Sequence, residues 1–131
     1  MNTIREQIRS MLRVEERDGG FRALFDVDSG LSVLPDHFPN RPILPGICMI
    51  QAVVLACAAR LQVGDLRVRM LKNAKWLQPI EPGQQVVIDA NMISVNDGDF
   101  QIKAKLSVSD KRCAEFSLVV CAVSAGGGVP S

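Results

Sequence analysis

Between Ile47 and Ala59 twelve of thirteen residues are apolar, with Gln51 the lone polar exception, and no other stretch of this chain narrows its possible folds as far. A helix that is greasy on every side has to be enclosed, by protein or by lipid. Thirteen residues at the α-helical rise cover only about 20 Å, short of the roughly 30 Å hydrocarbon core of a bilayer. The segment therefore reads as a helix buried in protein, with no membrane insertion.

Strands supply the cover. Residues 66–77, 85–95, 100–109 and 113–123 are strand-like, and the pattern is clearest where Phe100, Ile102, Ala104, Leu106 and Val108 alternate with Gln101, Lys103, Lys105, Ser107 and Ser109. Asn96-Asp97-Gly98-Asp99 and Ser109-Asp110-Lys111-Arg112 are the turns between them. Upstream, residues 12–17 and 21–27 read as a hairpin around Asp18-Gly19-Gly20. Ile4, Ile8, Met11 and Leu12 mark an amphipathic N-terminal helix over residues 1–12. Residues 28–45 hold four of the seven prolines and can be neither regular helix nor central strand. One apolar helix and about six strands, each with one apolar face, predict an α+β fold in which an antiparallel sheet wraps a single long buried helix. Ala52, Ala56, Ala58 and Ala59 would let the sheet approach closely. Residues 1–124 form one expected domain, and 125–131 a loose tail. In the last strand Val119, Cys121 and Val123 leave an outward apolar strip that suggests contact with another subunit.

Charge narrows the partners. Fifteen Lys+Arg against fourteen Asp+Glu give +1, without the basic excess that nucleic-acid binding usually requires. The N-terminus is charged at once and lacks the apolar core of a secretory signal, so the cytoplasm is the expected compartment. Cys48, Cys57, Cys113 and Cys121 form no CxxC pair and the chain has one histidine, which predicts buried free thiols and no metal site. No phosphate-cradling glycine loop is present.

The one histidine, His37, lies in the proline-rich stretch just before the apolar helix. Imidazole is the side chain best poised for proton transfer near neutral pH, although an exposed loop histidine is the plainer reading of composition alone. Pro45-Gly46 opens the helix, where proline suits the first turn and glycine leaves an N–H accessible at the positive end of the dipole. The run His37-Phe38-Pro39-Asn40-Arg41-Pro42-Ile43-Leu44-Pro45-Gly46, continuing through Gln51-Ala52, resembles the signature of the β-hydroxyacyl-acyl-carrier-protein dehydratases, HFPGxPxxPGxxxxEA. A second segment, Ala74-Lys75-Trp76-Leu77-Gln78-Pro79-Ile80-Glu81-Pro82-Gly83-Gln84, is similar to that family's strand and PxxPGD turn. The resemblance covers roughly residues 20–123 and implies the hot-dog fold and a homodimer or higher homo-oligomer.

It also implies a reaction, the loss of water from a 3-hydroxyacyl thioester carried on acyl carrier protein. His37 would remove the α-proton. Gly46, with Phe38, Pro45 and Ile47 around it, would form the oxyanion and substrate-binding position. No cofactor is implied beyond the carrier's phosphopantetheine arm. The family's helix carboxylate falls fourteen residues beyond its histidine, which is Gln51 here. An amide cannot deliver a proton at neutral pH, so three substitutes stand open: proton return by His37, a water oriented by Gln51, or a carboxylate such as Asp36 or Glu81. A catalytically inactive acyl-chain-binding subunit and a thioesterase using Asp36 are the alternatives. Arg67, Arg69, Lys72 and Lys75 form a basic run in which strict alternation puts Arg67 and Arg69 on one face, an expected docking patch for an acidic carrier protein.

Overall fold

A computed structural model describes residues 4–28, 44–96 and 98–122 of the chain. Helix α1 (Ile4–Ser10) leads into strands β1 (Leu12–Arg17) and β2 (Gly20–Asp26). Helix α2 (Gly46–Leu61) is followed by β3 (Leu66–Trp76), β4 (Gln85–Asn96), β5 (Asp99–Val108) and β6 (Lys111–Ala122). The strands form one antiparallel sheet in the order β1-β2-β4-β5-β6-β3, with α2 packed on its inner face, the hot-dog arrangement that the resemblance implied. The N-terminal helix is shorter than expected among the described residues, because Leu12 has already entered β1. Its Ile8 is fully buried, while Ile4, Met11 and Leu12 pack partly against the same core.

Local chemistry accounts for the ends of the elements. Ser109 and Asp110, at φ 50° and 67°, make a two-residue turn whose left-handed residues match the right-handed twist of the flanking strands. The chain leaves α2 through Gln62 in the left-handed conformation (φ 58°), whose N–H bonds back to the last-turn carbonyls. Arg60 at that end donates from Nε to the Gly20 carbonyl at 3.1 Å, tying the helix to the β1–β2 hairpin.

The core is built from alternate residues of each strand: Phe21, Ala23 and Phe25, then Val86 and Ile88, then Ile102, Ala104 and Leu106, then Ala114, Phe116, Leu118 and Val120. On α2, residues Ala52 to Ala58 are buried without a break. The enclosure is less complete than the composition suggests: Ile47 is 69% exposed, Ile50 and Gln51 are half-buried and Ala59 is exposed. A single sheet covers one side of a helix, α1 shields part of another, and the outer side of the first α2 turn has no cover among the described residues.

The outer face carries charge in an ordered way. One row crosses all six strands through the register pairs Glu15↔Arg22, Arg22↔Asp89, Asp89↔Lys105, Lys105↔Glu115 and Glu115↔Lys75, so the sign alternates at every step. Opposite charges placed directly across a sheet attract. Each exposed pair contributes less than about 1 kcal/mol, and the row mainly favours this register over a slipped one.

Candidate functional site

The elements that the two motifs contribute meet at the start of α2. Leu44 is buried and donates its N–H to the Ile80 carbonyl at 2.7 Å. Val27 donates to the Gln84 carbonyl at 3.0 Å, and Gly83 donates to the Val27 carbonyl at 2.8 Å. Both flanks of residues 29–43 are therefore fastened to the Ile80–Gln84 turn, and Ile80 itself is fully buried. His37, Phe38, Asp36 and Asn40 lie outside the described residues.

Pro45 caps α2 with φ −64° and ψ 149° and makes no side-chain cap hydrogen bond, and the first turn holds no acidic residue. Its carbonyl accepts from Cys48 and Met49 at 3.0 and 3.3 Å. The N–H groups of Gly46 and Ile47 come before the first of these bonds, so among the described residues no side chain neutralises the positive end of the helix. That is a suitable place for a carbonyl oxygen gaining charge. Gln51 lies one turn beyond Ile47 on the same, more open side of the helix.

Gly46 has a reason for being glycine that the sequence did not reveal. A Cβ there would lie 3.2 Å from two atoms of the Trp76 indole, closer than ordinary packing allows. Trp76 rests in turn against Phe116, with ring centroids 5.7 Å apart and planes tilted by 46°. Trp76 belongs to the second motif, and the sequence signal that points to it is the chain's single tryptophan placed just before a Pro-Ile-Glu-Pro-Gly turn.

Two irregularities in β3 change how the basic run is displayed. The register with β6 shifts between Val68 and Met70 and again between Lys72 and Lys75, where Asn73 adopts φ 54°. Each shift adds one residue to β3, as a β-bulge does. Arg69 falls in the first bulge and reaches the Asp99 carboxylate at 3.4 Å. Asp99 stands opposite Cys121, which is also the partner of Arg67, so Arg69 stays on the outer face with Arg67. Arg67, Met70, Lys72 and Lys75 oppose Cys121, Val119, Ser117 and Glu115, the outward residues of β6. Lys75 is beside Glu115, which pairs with Arg112 at 2.9 Å. On the inner side Val68, Leu71 and Trp76 stay about half exposed, as Leu77 does just beyond the strand. The outward strip of β6 is half-buried at Val119 and Cys121, and Val123 lies outside the described residues.

Burial pushes the Cys48 and Cys113 thiols up and Cys57 up to about 12, so all three are neutral at physiological pH. Among the described residues no group of three or more His, Cys, Asp or Glu side chains could hold a metal ion, and no helix is long and apolar enough to cross a membrane.

A family model described as ApeI-like, the ApeI dehydratase, matches residues 13–116. The chain belongs to the ApeI-like dehydratase family. Membership is consistent with relatives outside that model. The 3-hydroxyacyl-acyl-carrier-protein dehydratase FabZ of a Wolbachia strain from Drosophila simulans is 30% identical over 114 residues, covering 81% of this chain and 80% of the relative. Among solved structures, the dehydratase heterocomplex ApeI:P from Xenorhabdus doucetiae superposes with a TM-score of 0.64 at 20% identity, over 83% of this chain and 94% of that one. A hypothetical thioesterase from Streptococcus pneumoniae, solved with coenzyme A, gives 0.67 at 10% identity over 90% of each chain. At these identities the structural likeness shows the hot-dog fold alone. It does not separate a dehydratase from a thioesterase, a distinction that rests here on the family match.

Proposed function

We propose that this protein is a dehydratase of 3-hydroxyacyl groups held as thioesters on an acyl carrier protein, of the kind used in fatty-acid, polyene or polyketide-type synthesis. The observation that carries the proposal is the fastening of both flanks of the His37 segment to the second motif, beside a helix start whose N–H groups have no side-chain cap among the described residues. In the proposed reaction the His37 imidazole takes the proton from the carbon next to the thioester carbonyl. The Gly46 N–H donates to the carbonyl oxygen as it gains enolate charge, an interaction that strengthens toward the transition state. The enolate then collapses, the carbon–oxygen bond at the 3-position breaks, and the hydroxyl leaves as water with the proton returned from His37. Gln51 orients that water through its amide. The reaction so written uses no cofactor beyond the carrier's pantetheine arm.

The half-exposed Val68 and Leu71 on the inner side of β3 favour a second copy covering this part of the edge, and the proposed unit is a homodimer. Arg67, Lys72 and Lys75 are the proposed contacts for the acidic carrier; Arg69 is already engaged by Asp99. The proposed compartment is the cytoplasm.

Gln51 favours a second reading, an acyl-binding subunit without turnover. Hydration of a 2-enoyl pantetheine thioester, the reverse reaction, decides between them. The dehydratase reading expects saturable hydration by the native protein, lost in His37→Ala, with Gln51→Glu changing the rate little. A native protein near background, raised roughly 10²-fold or more by Gln51→Glu, would establish the non-catalytic reading. Release of free thiol with no hydration would point to hydrolysis instead.

A further inference from the structure

We propose that Trp76 is the wall of the thioester site and sets how the first carbons of the acyl group lie against the Gly46 N–H, with Asn73 as its positioning residue. The inference rests on the dehydratase reading for the identity of the ligand and on geometry for the placement. Along β3, Leu66 and Val68 face inward with Ala122 and Val120 as partners. The first bulge reverses the alternation, so Leu71 faces inward opposite Leu118 and Lys72 outward opposite Ser117. Without a second bulge the alternation from Leu71 would turn residue 76 outward. The extra residue at Asn73, held in the left-handed region at φ 54°, restores the phase and brings Trp76 inward opposite Ala114. Asparagine tolerates that conformation and a β-branched residue does not.

Two contacts then fix the indole. Its six-membered ring lies 3.2 Å from where a Gly46 Cβ would stand, and it rests against Phe116, which is itself 2% exposed and held in the core. The rest of the indole is open, at 49% exposure, although it is apolar and stands beside an uncapped helix start. An acyl thioester whose carbonyl meets the Gly46 N–H would lay its neighbouring carbons along this face. The indole would then exclude water from the hydrogen bond to the carbonyl, which strengthens it. Trp76 is the only tryptophan, so its emission reports this one position.

The test uses the full chain and a saturated six-carbon acyl pantetheine thioester, which binds without reacting, alongside hydration kinetics with the matching 2-enoyl thioester. The proposal expects native emission to shift saturably with the thioester. Trp76→Ala should raise KM about tenfold, the worth of one aromatic contact, with less effect on kcat. Trp76→Phe should restore most of that loss. Asn73→Gly, which accepts the left-handed backbone, should keep native emission and KM, while Asn73→Val should red-shift the unliganded emission and raise KM as Trp76→Ala does. Silent emission under saturating thioester, or an active Trp76→Ala with native KM, would overturn it. An inactive native protein whose emission still shifts loses the reaction and keeps the wall; an active protein with silent emission keeps the reaction and loses the wall.

Discussion

Gly20 and Gly19 are neighbours in the β1–β2 hairpin, and replacing each by alanine separates two ways in which a glycine can be required. Gly20 opens β2 opposite Asn91, and a Cβ built on it would lie 1.9 Å from the Ala90 carbonyl oxygen, 2.9 Å from its carbon and 3.0 Å from the Asn91 Cα. All three are backbone atoms, which cannot rotate away. Carbon and oxygen approach no closer than about 3.3 Å in ordinary contacts, so Gly20→Ala forces β2 and β4 apart locally by roughly 1.4 Å. Hydrogen bonds fail over such a displacement. At risk are the Gly20–Asn91 pairing, the Met92 N–H to the Gly19 carbonyl at 2.7 Å and the Arg60 bond to the Gly20 carbonyl at 3.1 Å. At about 1 kcal/mol for each neutral bond and about 2 kcal/mol for the charged one, the expected loss is about 3–5 kcal/mol. That is a large part of the usual 5–15 kcal/mol or so of a domain this size. Gly19 has open space around its missing Cβ and a φ of +75°, so Gly19→Ala carries only the left-handed strain of about 1–2 kcal/mol. Urea titrations followed by far-ultraviolet circular dichroism measure both. A Gly20→Ala variant no less stable than Gly19→Ala would refute the argument from close approach.

Two further outcomes follow from the environments of the thiols and of Asp65. With native protein near pH 8, an aromatic disulfide reagent should modify Cys121 first, and the buried Cys48, Cys57 and Cys113 only after denaturant is added; rapid modification of all four would contradict the burial. The Arg5 guanidinium, 2.6 Å away, holds the Asp65 carboxyl below its ordinary value. A folded-state value below the unfolded one stabilises the protein above about pH 4 and loses that contribution as the pH falls through the depressed value. Since the pair is largely exposed, Asp65→Asn should cost less than about 1 kcal/mol at neutral pH. Thermal melts of the two proteins should converge in acid, and a gap independent of pH would show that the ion pair is not its source.

Much of the fold was legible because it is written in local periodicity. The alternation from Phe100 to Ser109 and the apolar run from Ile47 to Ala59, interrupted only by Gln51, each identify an element without reference to its neighbours. The helix start at Pro45-Gly46 was equally plain, since proline and glycine restrict the backbone wherever they occur. Trp76 was harder to assign, because a tryptophan in a strand looks like core until its partner is known. The basic run was only partly legible for a related reason. Strict alternation groups Arg67 with Arg69, but nothing in that short sequence marks the extra residue that brings Lys72 to the same outer face.

What the chain order alone decided is which segments are helix and strand, where they stop, and that one helix is too apolar to lie on a surface, since these depend on interactions within a few residues. What only the folded sheet decided is phase. The positions of the two bulges in β3 are set by which residues of β6 stand opposite, and those opposite partners are some 40 to 52 residues away in sequence. Phase is what turns Trp76 onto Gly46, where any added side chain would press on the indole.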